Sequence, residues 1–207
     1  ASQTSAVSGI SVSAICAPGV LRYDQTMKYG KWLVVFGLLG FSGCVRLPDG
    51  IEPVTGFDQQ RYLGKWYEIA RLDHSFERGL NQVTADYSMR PDGGIRVTNR
   101  GWSPEKGEWK EAEGRAYSVK DPTTGFLKVS FFGPFFGSYV IFEMDQTDYQ
   151  YAFVSGPDRS YLWMLARQPD PDKAIIERFV QRAGELGFAT DELIFVDHQK
   201  AESTETK

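Results

Sequence analysis

The stretch LGKWYEIARL, residues 63–72, opens the part of the chain that decides the fold. It is the first of eight β-like segments, which are separated by mostly short turns rich in Gly, Pro and Asp. The segments span residues 63–72, 83–89, 95–102, 109–119, 126–132, 139–144, 149–155 and 161–167. Because short connections force neighbouring strands to be antiparallel, we expect an all-β fold, an eight-stranded antiparallel up-and-down β-barrel without exposed edges. A packed two-sheet sandwich is the alternative architecture.

The hydrophobic pattern changes after residue 167. In residues 172–186, DKAIIERFVQRAGEL, the apolar residues recur at helical spacing, and Gly187 is placed to end the helix. The sequence therefore predicts one C-terminal α-helix packed outside the barrel, followed by a short strand over residues 193–196. We expect the barrel domain to span residues 55–198 and residues 199–207 to form a flexible tail.

Residues 27–43 have the layout of a secretory signal peptide. Met27 is followed by two lysines and then by an apolar run over residues 32–41, which is too short to span a membrane. Cys44 follows closely, and we expect residues 44–54 to link it to the barrel. Residues 1–26 show no sustained period. They are interpreted as a non-native extension, with a disordered natural N-terminus as the alternative.

The composition narrows the function classes. The net charge of -4 is small and mixed in sign, which disfavours nucleic-acid binding. Cys16 and Cys44 are the only two cysteines, so the barrel domain has neither a disulfide framework nor a cysteine-based metal site. Aromatic residues make up 14% of the chain, and in a compact domain they fill a core or line a pocket.

The chain carries no catalytic motif. His74 and His198 are its only histidines, and it has no G-x-S-x-G, H-E-x-x-H or P-loop sequence. We therefore expect a binding protein rather than an enzyme, with no metal and no cofactor.

The four residues FSGC, 41–44, resemble the lipobox of bacterial lipoproteins, although Phe41 stands where that motif usually has Leu. The resemblance implies that Cys44 carries acyl chains, which hold a protein at a bilayer without a spanning helix. Val45 follows the cysteine, a choice compatible with export to the outer membrane. The implied location is the periplasmic side of the bacterial outer membrane.

Three separated motifs resemble those of the lipocalin family. They are Gly64-Lys65-Trp66 at the start of the first strand, Thr147-Asp148-Tyr149 at the turn into the seventh, and Arg167 at the end of the eighth. The resemblance implies that Arg167 lies across Trp66 at the closed end of the barrel, a cation–π contact of about 0.5–2 kcal/mol. These signature residues are expected to act structurally.

The stretches YEIARLDHSFERGL (67–80), KVSFFGPFFG (128–137) and SGPDRSYLW (155–163) are similar to the bacterial lipocalin subgroup. That resemblance implies an outer-membrane lipoprotein that stores or transports fatty acids or lysophospholipids. It also implies that a homodimer is one form such a protein takes.

Strand alternation, taken with Arg167 pointing into the barrel base, predicts which side chains line the interior. The resulting apolar tube with sparse polar groups suits a long acyl chain. The predicted lining residues are Ala85, Tyr87, Val97, Asn99, Val129, Phe131, Phe142, Tyr149, Tyr151, Phe153, Tyr161 and Trp163. Two alternatives stay open: a filled barrel serving as a structural or interaction lipoprotein, and a carrier of another apolar ligand such as a sterol or quinone.

Two loops carry further expectations. The polar loop over residues 73–81 is expected to overhang the mouth, where His74 is either a headgroup contact or a solvated loop residue. Phe135 and Phe136 are adjacent apolar rings in a turn, which are costly to expose. They are predicted to touch the membrane, a partner subunit or the ligand, or to pack under a neighbouring loop.

Overall fold

A computed structural model describes residues 45–198. The signal peptide, Cys44 and the tail predicted at residues 199–207 lie outside the described residues. The strands are β1 (Gly64–Arg71), β2 (Asn81–Met89), β3 (Ile95–Ser103), β4 (Glu108–Ser118), β5 (Phe126–Ser130), β6 (Gly137–Met144), β7 (Tyr151–Ser155), β8 (Leu162–Ala166) and β9 (Ile194–Phe195). The helices are α1 (Gln59–Tyr62) and α2 (Lys173–Glu185), and a 3-10 turn covers Thr190–Glu192. No helix among residues 45–198 is long and apolar enough to cross a membrane.

The first eight strands close into a barrel. Each strand from β2 to β7 pairs with the next, and β1 pairs antiparallel with both β8 and β2. The predicted eight-stranded antiparallel barrel is therefore confirmed. The short strand β9 adds to the outer part of β1, where Phe195 lies opposite Ala70.

The antiparallel order sorts the connections between two ends of the barrel. We call the end that carries α1 and the start of β1 the closed end. The opposite end, called the mouth, carries the β1–β2, β3–β4, β5–β6 and β7–β8 connections. Residues 45–57 run along the barrel from the mouth to the closed end. Arg46 contacts Ser138 at the mouth, and the Phe57 amide donates to the Thr123 carbonyl at the closed end.

The helix α2 covers one outer face of the barrel, as the sequence predicted. Asp172 caps its first turn by accepting a hydrogen bond from the Ala174 amide, and Gly187 follows its end with a φ of +80°. Its residues Phe179 and Ala183 are fully buried, and the Phe179 ring meets the Phe153 ring at 5.0 Å between centroids. This outer cluster is separate from the cluster inside the barrel.

Three predicted lining residues lie in the outer cluster instead, so the prediction for Phe142, Tyr151 and Phe153 is wrong. In β7 the alternation was counted from Tyr149, which lies in the preceding turn with a φ of +58°. The strand begins after that turn, and it points Ala152 and Val154 inward.

The error in β6 has a different cause. A register shift between Ile141 and Glu143 places Phe142 and Glu143 on the outside, while Ile141 and Met144 face the interior. Such a bulge inserts one residue and reverses the faces beyond it. Glu143 then forms ion pairs with Arg178 and Arg182 of α2.

Candidate functional site in the barrel interior

The closed end is sealed by Trp66 and Arg167. Trp66 is fully buried and donates from its indole Nε1 to the Tyr62 carbonyl at 2.8 Å. The Arg167 guanidinium lies over the Trp66 ring, with Cζ 3.9 Å from the centroid. It also donates to the carbonyl oxygens of Arg61, Lys65 and Tyr149. The expected cation–π closure is thus confirmed, and it is reinforced by three hydrogen bonds that hold separate segments together.

The other signature residues tie the turns of the closed end to α1. Gly64 has a φ of +90°, and a Cβ there would stand 3.5 Å from Arg167 Nη1. The Thr147 carbonyl accepts a hydrogen bond from Arg61, and the Asp148 amide donates within its own turn to Asp145. The Tyr149 hydroxyl accepts from the Asp58 amide at 2.8 Å. These residues therefore build the base of the barrel, including Tyr149, which was predicted to contact ligand.

A tyrosine triad fills the interior directly above Trp66. The Tyr139 hydroxyl lies 2.7 Å from that of Tyr62 and 3.0 Å from that of Tyr87. The Tyr62 ring also packs on Trp66 at 4.7 Å between centroids. Of these three tyrosines, only Tyr87 was predicted from the sequence to line the interior. Tyr139 alternates with the outward residues of β6 and so faces the interior. Tyr62 lies in α1, before the first strand, so strand alternation did not predict its position.

Most of the lining residues predicted in the second, third, fifth and eighth strands share the interior cluster, whereas Tyr161 precedes β8 and stacks with His74 and Trp163 near the mouth. Ala85, Tyr87 and Val97 are buried members of it, and Val129, Phe131 and Trp163 pack against it. Asn99 follows Val97 by two positions in β3 and shares its inward face. The Asn99 Oδ1 atom is buried and has no hydrogen-bond partner among the described residues. Buried polar atoms are nearly always paired in folded proteins, so this oxygen is free to accept from a ligand or water.

A buried charge cluster, formed by Glu68, Arg71 and Glu77, occupies the mouth side of the interior. Arg71 Nη1 donates to Glu68 Oε1 at 2.6 Å, and Nη2 donates to the carbonyls of Glu77 and Leu80 at 3.1 Å. The Trp163 indole donates to Glu77 Oε2 at 3.2 Å. Arg71 Nε is buried without a partner among the described residues.

Burial dominates the electrostatics of this cluster. Burial, followed by the neighbouring Glu77 carboxylate, raises the pKa of Glu68 well above its ordinary value, although Arg71 opposes the shift. Burial also raises the pKa of Glu77. These directions favour a proton retained on the carboxyl pair, which brings the cluster closer to electrical neutrality.

The Glu68–Arg71–Glu77 cluster was not predicted from the sequence. Glu68 follows Trp66 by two residues in β1, and strand alternation therefore points both side chains inward. Arg71 has the opposite parity, and it reaches the interior because β1 shifts its register between Glu68 and Ala70. No sequence pattern indicated that shift.

His74 lies beside this cluster and is buried, not a solvated loop residue. Its ring stacks on Phe76 at 4.0 Å and lies 5.0 Å from Trp163 and 6.0 Å from Tyr161, between centroids. His74 Nε2 is 3.2 Å from Glu77 Oε2. Burial lowers the pKa of His74 from 6.5 to about 4. The imidazole is therefore neutral near neutral pH.

Comparison with known proteins agrees with this architecture. A family model described as a lipocalin-like domain matches residues 57–198. The outer membrane lipoprotein Blc of Vibrio cholerae is 60% identical over 158 residues, which are 76% of this chain and 92% of that protein. The protein of the same name from Escherichia coli is 49% identical over 149 residues, which are 72% of this chain and 84% of that protein. Insecticyanin of the tobacco hornworm has a similar fold, with a TM-score of 0.58 at 19% identity over 75% of this chain and 88% of its own.

A closed eight-stranded barrel sealed by a tryptophan under an arginine defines the lipocalin class, whose members bind small apolar ligands. The chain belongs to the lipocalin-like family. Its identity with two bacterial proteins named for their place in the outer membrane also confirms the predicted location. The protein is a bacterial outer membrane lipoprotein.

Proposed function

We propose that this lipocalin binds fatty acids or lysophospholipids, with the acyl chain inside the barrel and the polar head toward the mouth. The observation that carries the proposal is the division of the interior. Apolar side chains such as Val97 and Val129 lie in the interior, whereas the charged Glu68, Arg71 and Glu77 cluster on its mouth side. A single-chain amphiphile has the same division, and burying its methylenes supplies the main driving force at about 25 cal/mol per Å².

Unpaired polar atoms offer further contacts to a ligand. Arg71 Nε is a buried donor without a partner among the described residues, and a carboxylate or phosphate oxygen is its natural acceptor. Asn99 Oδ1 is a buried acceptor that suits a hydroxyl or ammonium of a lysophospholipid. The proposed ligand contacts keep Tyr87 and Trp163, omit the outward Phe142, Tyr151 and Phe153, and add Arg71.

We also propose that Cys44 bears the acyl chains that attach the protein to the outer membrane. The lipobox-like FSGC sequence and the shared identity with outer membrane lipoproteins support this assignment. Two or more acyl chains give stable anchoring, at about 0.8 kcal/mol per buried methylene. Mass spectrometry of the N-terminal peptide tests it, and an unmodified Cys44 thiol would contradict it.

The binding test compares substitutions on the two faces of β2. Ala85 faces the interior, whereas Ser88 is exposed on the outer face of the same strand. We expect Ala85→Trp to abolish retention of oleate and of lysophosphatidylethanolamine, because the indole occupies the space of the acyl chain. Ser88→Trp is the matched control and should retain both. The measurement is native mass spectrometry of the full chain incubated with each lipid separately.

The outcomes separate this proposal from its alternatives. Retention of neither lipid by the folded protein would favour a filled barrel that acts as a structural or interaction lipoprotein. Retention of a sterol or quinone in place of both lipids would favour another apolar ligand. We propose a binding role without catalysis and without a cofactor, as expected for the lipocalin-like family to which the chain belongs. A homodimer stays a prediction, which light scattering with and without lipid tests.

A further inference from the structure

Exposed apolar side chains gather around the mouth of the barrel. Phe132 is 79% exposed and Phe135 is 52% exposed, and both lie in the β5–β6 connection. Leu47 at the start of the described chain and Phe76 in the β1–β2 connection are also exposed at this end. A monomeric protein rarely leaves large apolar groups together in water unless the patch contacts a partner or a membrane.

We propose that the β5–β6 loop, residues 131–136, docks on the outer membrane so that the mouth faces the bilayer. The surface is defined by Leu47, Phe132, Phe135 and the half-buried Phe136, and we call it the docking loop surface. Its occupant is the lipid bilayer, because exposed Phe and Leu side chains bury their apolar surface at the boundary between headgroups and acyl chains.

The charge around this surface fits a bilayer that contains anionic lipids. Lys128 Nζ lies 5.1 Å and Arg115 Cζ lies 5.6 Å from the centroid of the Phe136 ring. Arg46 is exposed next to Leu47. Cations beside apolar rings are the combination by which peripheral segments bind membrane interfaces, because charge attracts the lipid headgroups and the rings enter between them.

The chain path brings the membrane attachment point to the same end. The Arg46 amide donates to Ser138 Oγ at 2.9 Å, and that hydroxyl donates to the Arg46 carbonyl at 2.6 Å. Ser138 follows the docking loop almost directly, since β6 begins at Gly137. Cys44 precedes Arg46 by two residues, which span about 7 Å when extended. This step rests on the proposed acylation of Cys44, and it leaves little chain between the bilayer and the loop.

A second copy of the chain is the other occupant that would cover apolar rings. The observations favour the bilayer, because the tether begins beside the loop and the cations flank the rings. A mouth that faces the bilayer would also give an acyl ligand a short route between membrane and barrel.

The test uses tryptophan substitutions in the full chain. The protein is purified from outer membranes and reconstituted in vesicles of phosphatidylethanolamine and phosphatidylglycerol, with bromine on the acyl chains as the quencher. Phe132→Trp and Phe135→Trp report on the docking loop surface. Met89→Trp is the control, since Met89 is also exposed but ends β2 at the closed end.

We expect the emission added by F132W and F135W to be blue-shifted and largely lost with brominated lipid, whereas the emission added by M89W is unchanged. Added emission that stays water-like at both loop positions in vesicle-bound protein would overturn the proposal. A blue shift that grows with the number of protein molecules per vesicle, without quenching by brominated lipid, would also overturn the proposal. A second copy of the chain would then cover the loop. Failure of Cys44 acylation gives a different result, because the protein would not float with the vesicles.

Discussion

Two residues distant in sequence, Trp66 and Arg167, hold the closed end together. The ring supplies a buried apolar plane, and the guanidinium supplies both charge and the rigid donors that reach three backbone carbonyls. The cation–π contact alone contributes about 0.5–2 kcal/mol. The hydrogen bonds matter as much, because each carbonyl belongs to a different segment of the barrel base.

Replacing Arg167 should therefore lower the free energy of unfolding more than replacing an arginine that makes only a ring contact. Arg100 lies over Trp109 at 4.1 Å on the outer face, where it is exposed. We expect Arg167→Met to lower the free energy of unfolding by about 2–4 kcal/mol, and Arg100→Met to lower it by about 0.5 kcal/mol. Urea denaturation of both variants measures the difference. Equal losses would show that the carbonyl contacts contribute nothing.

His74 makes stability depend on pH. Its pKa is about 4 in the folded protein and about 6.5 when unfolded. As the pH falls from 6.5 to 4, the unfolded chain takes up a proton that the folded protein refuses, so this residue makes the protein less stable. The raised pKa values of Glu68 and Glu77 act in the opposite direction, because the folded state there binds protons more tightly.

We expect His74→Phe to remove the histidine contribution while preserving the stack on Phe76. The stability advantage of the variant over the natural protein should grow as the pH falls from 6.5 to 4. Urea denaturation at several pH values measures it, and the carboxyl contributions cancel to the extent that the substitution leaves them unchanged. A difference that is constant with pH would contradict the buried, neutral imidazole.

The packing of α2 on β6 and β7 decides which aromatic residues are available to a ligand. Phe142 and Phe153 were expected inside the barrel, yet they pack beneath Phe179 and Phe188 of the C-terminal segment. The turn at Tyr149 and the bulge after Ile141 turn these strands so that their largest rings face the helix.

Truncating Phe153 should separate stability from binding. We expect Phe153→Ala to lower the free energy of unfolding by about 3–5 kcal/mol, because it leaves a cavity under α2. Retention of oleate per folded molecule should stay unchanged, since the ring does not face the interior. Ala85→Trp is the opposite case, with binding lost. If folded F153A protein no longer retained oleate, Phe153 would be a ligand contact in the barrel interior.

At the scale of the whole molecule, ligand binding should stabilise the barrel through mass action. A ligand that binds only the folded state adds about 2.7 kcal/mol at a free concentration 100 times its Kd. We expect oleate to raise the urea midpoint of the natural protein and of Ser88→Trp, and to leave that of Ala85→Trp unchanged. Intrinsic tryptophan fluorescence follows the transition. An equal shift in all three proteins would place the binding outside the interior.

The sequence by itself determined the barrel, the outer helix and the Trp66–Arg167 closure. The barrel and the helix follow from local signals, namely strand-length apolar segments, short turns and helical spacing. The closure follows from the resemblance of three motifs to those of lipocalins. It also predicted the lining wherever a strand alternates without interruption, as at Val97 in β3 and Trp163 in β8.

Only the tertiary structure decided the faces of β6 and β7 and the content of the mouth. A single bulge or a left-handed turn residue reverses every side chain beyond it, and nothing in the local sequence announced those at Ile141 and Tyr149. The Glu68–Arg71–Glu77 cluster depends in addition on contacts between β1 and the β1–β2 loop. A buried charged side chain is tolerated only when its ion-pair and hydrogen-bond partners are all in place. The cluster therefore forms only in the folded barrel.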